Sequence, residues 1–155
     1  MKSLLAVDLG IRTGLALFGS DGRLAWYRSR NFGSAARLRR AVRGQLDALP
    51  ELAWLVMEGG GSLADIWAHE AERRAVKVRL ISAEDWRQRF LYPREQRNGR
   101  QAKRSASDLA RRVIAWSDAV RPTSLRHDAA EAILIGLYGV LEAAWLEGLP
   151  EALRR

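Results

Sequence analysis

Two short apolar runs in this chain each end on a carboxylate, and that pattern narrows what the chain can fold into. Leu4-Leu5-Ala6-Val7 runs into Asp8, and Trp54-Leu55-Val56-Met57 runs into Glu58. Runs this short suit strands rather than helices. A third pattern lies late: Asp128 and Glu131 open the apolar segment Asp128-Ala129-Ala130-Glu131-Ala132-Ile133-Leu134-Ile135. Ionised groups at the ends of buried elements are costly unless they are paired or bound to a metal.

Composition closes several other routes. The 155 residues suit one domain spanning the whole chain, large enough for a real core. With no cysteine, disulfides and thiolate metal sites are excluded, and with only His69 and His127 a histidine-rich zinc site is disfavoured. The apolar start is too short for a signal peptide, and no stretch approaches the ~20 apolar residues of a membrane span. A cytoplasmic protein without membrane contact is expected. The net charge of +8 points to a polyanionic partner. Only Lys2, Lys77 and Lys103 are lysines. The arginine excess fits bidentate phosphate contacts and fits a GC-rich genome equally well.

The pattern predicts strands over 3–9, 13–18 and 24–30, with Ser20-Asp21-Gly22 as a hairpin turn. A helix capped by Ser34 follows over about 35–48, with Leu38, Val42, Leu46 and Leu49 at helical spacing. Then come a strand over 53–58, a helix from Ser62 to about 75, a strand over 77–81 and a short helix over 83–91. Tyr92 to Arg100 reads as a polar loop. Ser105-Ala106-Ser107-Asp108 resembles a capping box within a helix over 102–118. The last helix is expected over 127–146. Three antiparallel strands followed by strand–helix alternation give an α/β fold, a five-stranded mixed sheet flanked by helices.

In such sheets, sites gather at strand ends beside helix termini. If the first and fourth strands are parallel neighbours, Asp8 and Glu58 come together. Asp128 and Glu131, three apart on a helix, share a face. Docking that face beside the strand ends would close a four-carboxylate cluster, suited to Mg²⁺ or Mn²⁺. Each acid has a plainer reading. Asp8 suits a turn, Glu58 a loop before Gly59-Gly60-Gly61, and Asp128 with Glu131 an N-cap and its partner three residues on. All four together, in this order, favour the metal reading.

Ala6-Val7-Asp8-Leu9-Gly10-Ile11-Arg12-Thr13-Gly14-Leu15-Ala16 resembles the first motif of the RNase H-like nucleases, and Leu55-Val56-Met57-Glu58 resembles their second. His127-Asp128-Ala129-Ala130-Glu131-Ala132-Ile133-Leu134-Ile135-Gly136-Leu137-Tyr138-Gly139 resembles the last helix of the RuvC family of Holliday-junction resolvases, nearest the variant chloroplast and phage types. The likeness runs through nearly the whole chain. It implies an RNase H-like fold and a crossover junction endodeoxyribonuclease of DNA recombination and repair. Asp8, Glu58, Asp128 and Glu131 would be both catalytic residues and ligands of two Mg²⁺ or Mn²⁺ ions. Paired symmetric nicks near the crossover would leave 5′-phosphate and 3′-hydroxyl ends, and a homodimer would supply the two nicks. The chain departs from the family twice. Glu131 stands where an aspartate or histidine is usual, and glycines follow Glu58 where bacterial RuvC carries an aromatic residue that probes the junction centre. His127 faces about 100° away from Asp128 on an ideal helix and is a candidate for the metal shell or a scissile-phosphate contact.

The positive charge is concentrated. Nine basic residues lie between Arg87 and Arg112 against only Glu95 and Asp108, a net +7 of the total +8. A one-sign cluster is often only a solvated face, but one holding nearly all the net charge reads better as a nucleic-acid footprint. Arg87, Arg97, Arg100, Lys103 and Arg104 are the candidate DNA-binding residues. The resemblance places Arg87 and Lys103 near basic residues that contact the branched DNA. Trp67 is the interface candidate on the helix after Glu58. Trp26, Trp54, Trp116 and Trp145 are assigned to the core, and Trp86 either to the core or to base stacking. Two alternatives stay open: a YqgF-type RNase H-like nuclease acting on RNA, and a non-cleaving binder of DNA structures.

Overall fold

The computed structural model describes residues 1–154. Its centre is a five-stranded mixed sheet in the order β3-β2-β1-β4-β5. The strands are β1 Ser3–Asp8, β2 Arg12–Gly19, β3 Leu24–Asn31, β4 Leu52–Glu58 and β5 Lys77–Ile81. The pairs β1–β2 and β2–β3 are antiparallel. The pairs β1–β4 and β4–β5 are parallel. The fold is α/β, as the sequence leads one to expect.

Helices cover both faces. Helix α1 (Ala35–Asp47) and helix α2 (Gly61–Glu72) pack over one face. Leu38, Val42 and Leu46 of α1 join Leu5, Val7, Leu55 and Met57 of the strands there. Helix α3 (Ala83–Phe90), helix α4 (Gly99–Ser117) and helix α5 (His127–Glu142) build the core of the other face, with Leu4, Ala6, Ala16, Phe18 and Val56. Because side chains alternate along a strand, Leu4 and Ala6 point to one core and Leu5 and Val7 to the other. Burial on both sides is why β1 reads as an unbroken apolar run. Among the described residues no helix is long and apolar enough to cross a membrane.

Several boundaries differ from expectation. Helix α4 begins at Gly99, where the Asn98 side chain accepts the Gln101 amide at 2.8 Å. The Ser105–Asp108 segment is therefore not a cap; Ser105 is buried in the middle of the helix. The Tyr92–Arg100 loop contains a 3-10 turn over Pro93–Gln96. Helix α2 starts at Gly61 with Gly60 at its cap, not at Ser62. Helix α5 stops at Glu142, four residues early. Ala144 takes a left-handed φ of 59°, its amide bonds Leu141 O, and the Trp145 amide bonds Val140 O. That is the hydrogen-bond pattern in which glycine usually stands. With alanine there instead, the sequence carries no stop signal.

The tryptophans also sort differently. Trp67, the expected interface residue, is 0% exposed and belongs to the core between α1, α2 and the sheet. Its spacing on α2 points it inward beside Ala64 and Ala71. Trp26, Trp54, Trp116 and Trp145 are half-buried at the core margins. Cations lie over three of them: Arg28 over Trp26, Lys77 over Trp54 and Arg23 over Trp116.

Candidate metal centre

The sheet register assembles the site. Asp8 stands opposite Glu58 in the parallel β1–β4 pair, and opposite Gly14 in the antiparallel β1–β2 pair. Gly14 in turn faces Ser29, and Glu58 faces Ile81. One row therefore crosses all five strands as Ser29, Gly14, Asp8, Glu58 and Ile81. Asp8 continues the alternation of Leu4 and Ala6, so it lies on the face that α5 covers.

Gly14 lets α5 come close. A Cβ on Gly14 would overlap the backbone carbonyl of Asp128. The start of α5 thus rests directly on β2, and the helix lowers Glu131 onto the row. Asp8, Glu58 and Glu131 each offer an oxygen within 4.8 Å of the others. Glu131 is 8% exposed. Its carboxylate lies beside that of Asp8, whose pKa its charge helps to raise.

Asp128 stands beside this triad, outside the group of three. It is the second residue of α5, not its cap; Arg126 occupies the cap position. Its Oδ2 accepts from Ser29 Oγ at 2.8 Å, and its Oδ1 from the Ala129 amide at 2.8 Å. The second bond satisfies one of the free amides of a helix start, so the capping alternative describes part of what Asp128 does. It does not describe Glu131, which turns to Asp8.

The cluster repels itself. Asp8 is pushed up to about 8, first by burial, then by the charges of Glu131, Glu58 and Asp128. Burial also raises Glu58, while its bond from Trp86 pulls the other way; the charge of Glu131 raises it further, and Arg87 and His127 lower it. Trp86 Nε1 donates to Glu58 Oε1 at 2.6 Å. Trp86 is 0% exposed, so the core alternative holds for its ring. Its N–H is a site feature that the sequence does not announce, because the donor and Glu58 lie 28 residues apart.

Arg87 and His127 border the acids. Arg87 Nη2 lies 3.5 Å from Glu131 Oε1, and His127 Nε2 lies 3.1 Å from the same oxygen. As neighbours in sequence His127 and Asp128 face different ways, and the i, i+4 spacing brings His127 over Glu131. Arg87 Nε is buried without a hydrogen-bond partner, and its guanidinium lies 5.3 Å from the Trp86 ring centre. Arg97, Arg100, Lys103 and Arg104 are exposed, between the end of the 3-10 turn and the first half of α4. The structure thus brings Arg87 to the acids and leaves the other four on the surface.

This donor set fits a hard divalent cation: oxygen ligands only, close together, with negative charge that Arg87 offsets only in part. Gly59 and Gly61 follow Glu58 with φ of 122° and 76°. Side chains rarely adopt such values. The turn from β4 into α2 therefore favours glycine at both positions, whereas Gly60 between them is extended, with φ of −170°.

No protein-family model matches the sequence, and no curated protein matches it. Among solved structures, the RuvC of T. thermophilus in complex with a Holliday junction substrate is similar, with a TM-score of 0.65 and 16% identity over 93% of this chain and 96% of that one. The chain has the fold of that RuvC, and the resemblance carried by its three motifs holds at the level of the fold.

Proposed function

We propose that this protein is a divalent-metal-dependent endonuclease that resolves four-way DNA junctions. The observation that carries the reading is the Asp8–Glu58–Glu131 triad, its oxygens within 4.8 Å of one another at the strand ends. The shared fold supports it, since the similar RuvC is bound to a Holliday junction. Asp8, Glu58 and Glu131, with Asp128 beside them, are the residues that would hold the ions, two in this reading and Mg²⁺ or Mn²⁺ by their oxygen donors. Bound there, the metal would supply an activated hydroxide and stabilise the leaving 3′ oxygen.

The chain's own residues set up that chemistry. Glu131 and Asp8 repel each other across the site, and an incoming ion would relieve that repulsion. Arg87 offsets part of the charge at Glu131, and His127 Nε2 lies against the same oxygen. Arg97, Arg100, Lys103 and Arg104 are exposed cations suited to backbone phosphates. Two symmetric nicks need two copies of the site, so the working form would be a homodimer.

The test is cleavage of a labelled four-way junction with Mg²⁺ or Mn²⁺, beside linear duplex and an RNA–DNA hybrid. Paired nicks near the crossover, absent without metal, are expected. Tight junction binding with no cut under any metal would leave a structural binder. Cutting confined to RNA-containing substrates would move the protein to RNA processing.

A further inference from the structure

We propose that Trp86 is a positioning residue of the metal centre. Its indole N–H holds Oε1 of Glu58 and leaves the other oxygen of that carboxylate free for the ion. The inference rests on the metal-nuclease reading above and adds a residue that the motif resemblance does not assign.

The geometry ties the two residues together. Glu58 ends β4 opposite Ile81, the last residue of β5. One residue later Ser82 caps α3 by a reciprocal pair: the Asp85 amide donates to Ser82 Oγ at 3.2 Å, and the Ser82 amide donates to Asp85 Oδ2 at 2.8 Å. The start of α3 is thereby fixed to the row that carries Glu58. Trp86 stands one turn in, 0% exposed, in one core with Phe90 and Ile133. A ring so enclosed has little freedom, and its 2.6 Å bond transmits that restriction to Glu58.

The chemistry favours this donor over a cation. A glutamate has three rotatable bonds, and freezing them before the ion arrives lowers the entropy cost of binding. A neutral N–H orients a carboxylate without cancelling the charge the ion needs, as an arginine would do. Hydrogen bonds to ligating groups commonly set metal affinity in this way, and their loss costs about 10–100-fold. The competing explanation is that Glu58 only satisfies a buried indole. The two differ in what metal binding feels.

The experiment is Mn²⁺ binding by calorimetry on the full chain, with thermal unfolding of the metal-free protein alongside. Trp86→Phe removes the donor. A second variant carrying benzothienylalanine at position 86 keeps the ring size and loses only the N–H, so it answers even where the phenylalanine chain unfolds. Both are expected to weaken Mn²⁺ binding by about 10-fold or more. In a Glu58→Ala background, which leaves the indole no carboxylate to hold, the same changes should cost less than about threefold, because the effect runs through Glu58. Unchanged Mn²⁺ affinity, or an equal loss in both backgrounds, overturns the inference. If the unaltered protein binds Mn²⁺ and cuts junctions while the Trp86 variants bind as tightly, only this inference fails. If the unaltered protein binds no Mn²⁺, the metal-nuclease reading falls with it.

Discussion

Asp8 and Glu58 sit directly opposite each other across the parallel pairing of β1 and β4. Two acids forced side by side by backbone hydrogen bonds cannot relax apart as surface acids do. The Trp86 N–H donates to Glu58, and Arg87 lies against the neighbouring Glu131.

Glu58→Gln keeps the shape and the acceptor for Trp86 and removes a ligand charge. Junction cleavage is expected to fall by more than about 100-fold, the upper cost of losing an outer hydrogen-bond partner. Junction binding, read by gel shift, should survive. Loss of binding together with cleavage would assign Glu58 to folding.

The raised Asp8 fixes the sign of a pH effect in the metal-free protein. Its folded value of about 8 stands above the ordinary 3.8, so between these limits the folded state holds the extra proton. Stability from this group is full below about 4 and is lost as pH rises through about 8. The melting temperature of the metal-free protein should therefore fall between about pH 4 and 8 and level off above that. Saturating Mg²⁺ should flatten that decline, and calorimetry in buffers of different ionisation enthalpy should show proton release on binding. A flat metal-free profile would contradict the coupling of Asp8 to its neighbours.

Gly14→Ala places a methyl group against the carbonyl of Asp128. Either α5 moves off the sheet or the strand bends. An overpacking cost of about 1–3 kcal/mol is expected by chemical denaturation. Because the shift displaces Glu131 with the helix, Mn²⁺ affinity should fall as well. Unchanged stability and affinity would mean that the approach of α5 to β2 is looser than described.

Lys103→Ala tests the exposed basic surface. Junction affinity should weaken, and the slope of log affinity against log salt should drop by about one phosphate contact. An unchanged slope removes Lys103 from the footprint.

Much of this was legible in the sequence because it lies in local pattern. The apolar runs ending at Asp8 and Glu58 gave the central strands, and the spacing of Leu38, Val42 and Leu46 gave α1. The pairing of Asp8 with Glu58 was legible only as a condition, that β1 and β4 be parallel neighbours, which the sheet meets. What escaped depends on contacts between distant segments. Trp86 meets Glu58, and Ser29 meets Asp128, across 28 and 99 residues, and nothing local marks a tryptophan whose N–H is a tether. Trp67 misled because hydrophobic residues on an amphipathic helix look alike whether they face a partner or their own sheet. The end of α5 escaped because Ala144 adopts a turn that glycine normally announces.

The central claim is that the carboxylates at the ends of β1, β4 and the start of α5 form a metal centre. Crystals grown with Mn²⁺ and recorded near the manganese absorption edge test it most directly. The account predicts anomalous density bounded by Asp8, Glu58 and Glu131, lost in Glu58→Gln. No density there at saturating Mn²⁺, with the three side chains ordered, would contradict it.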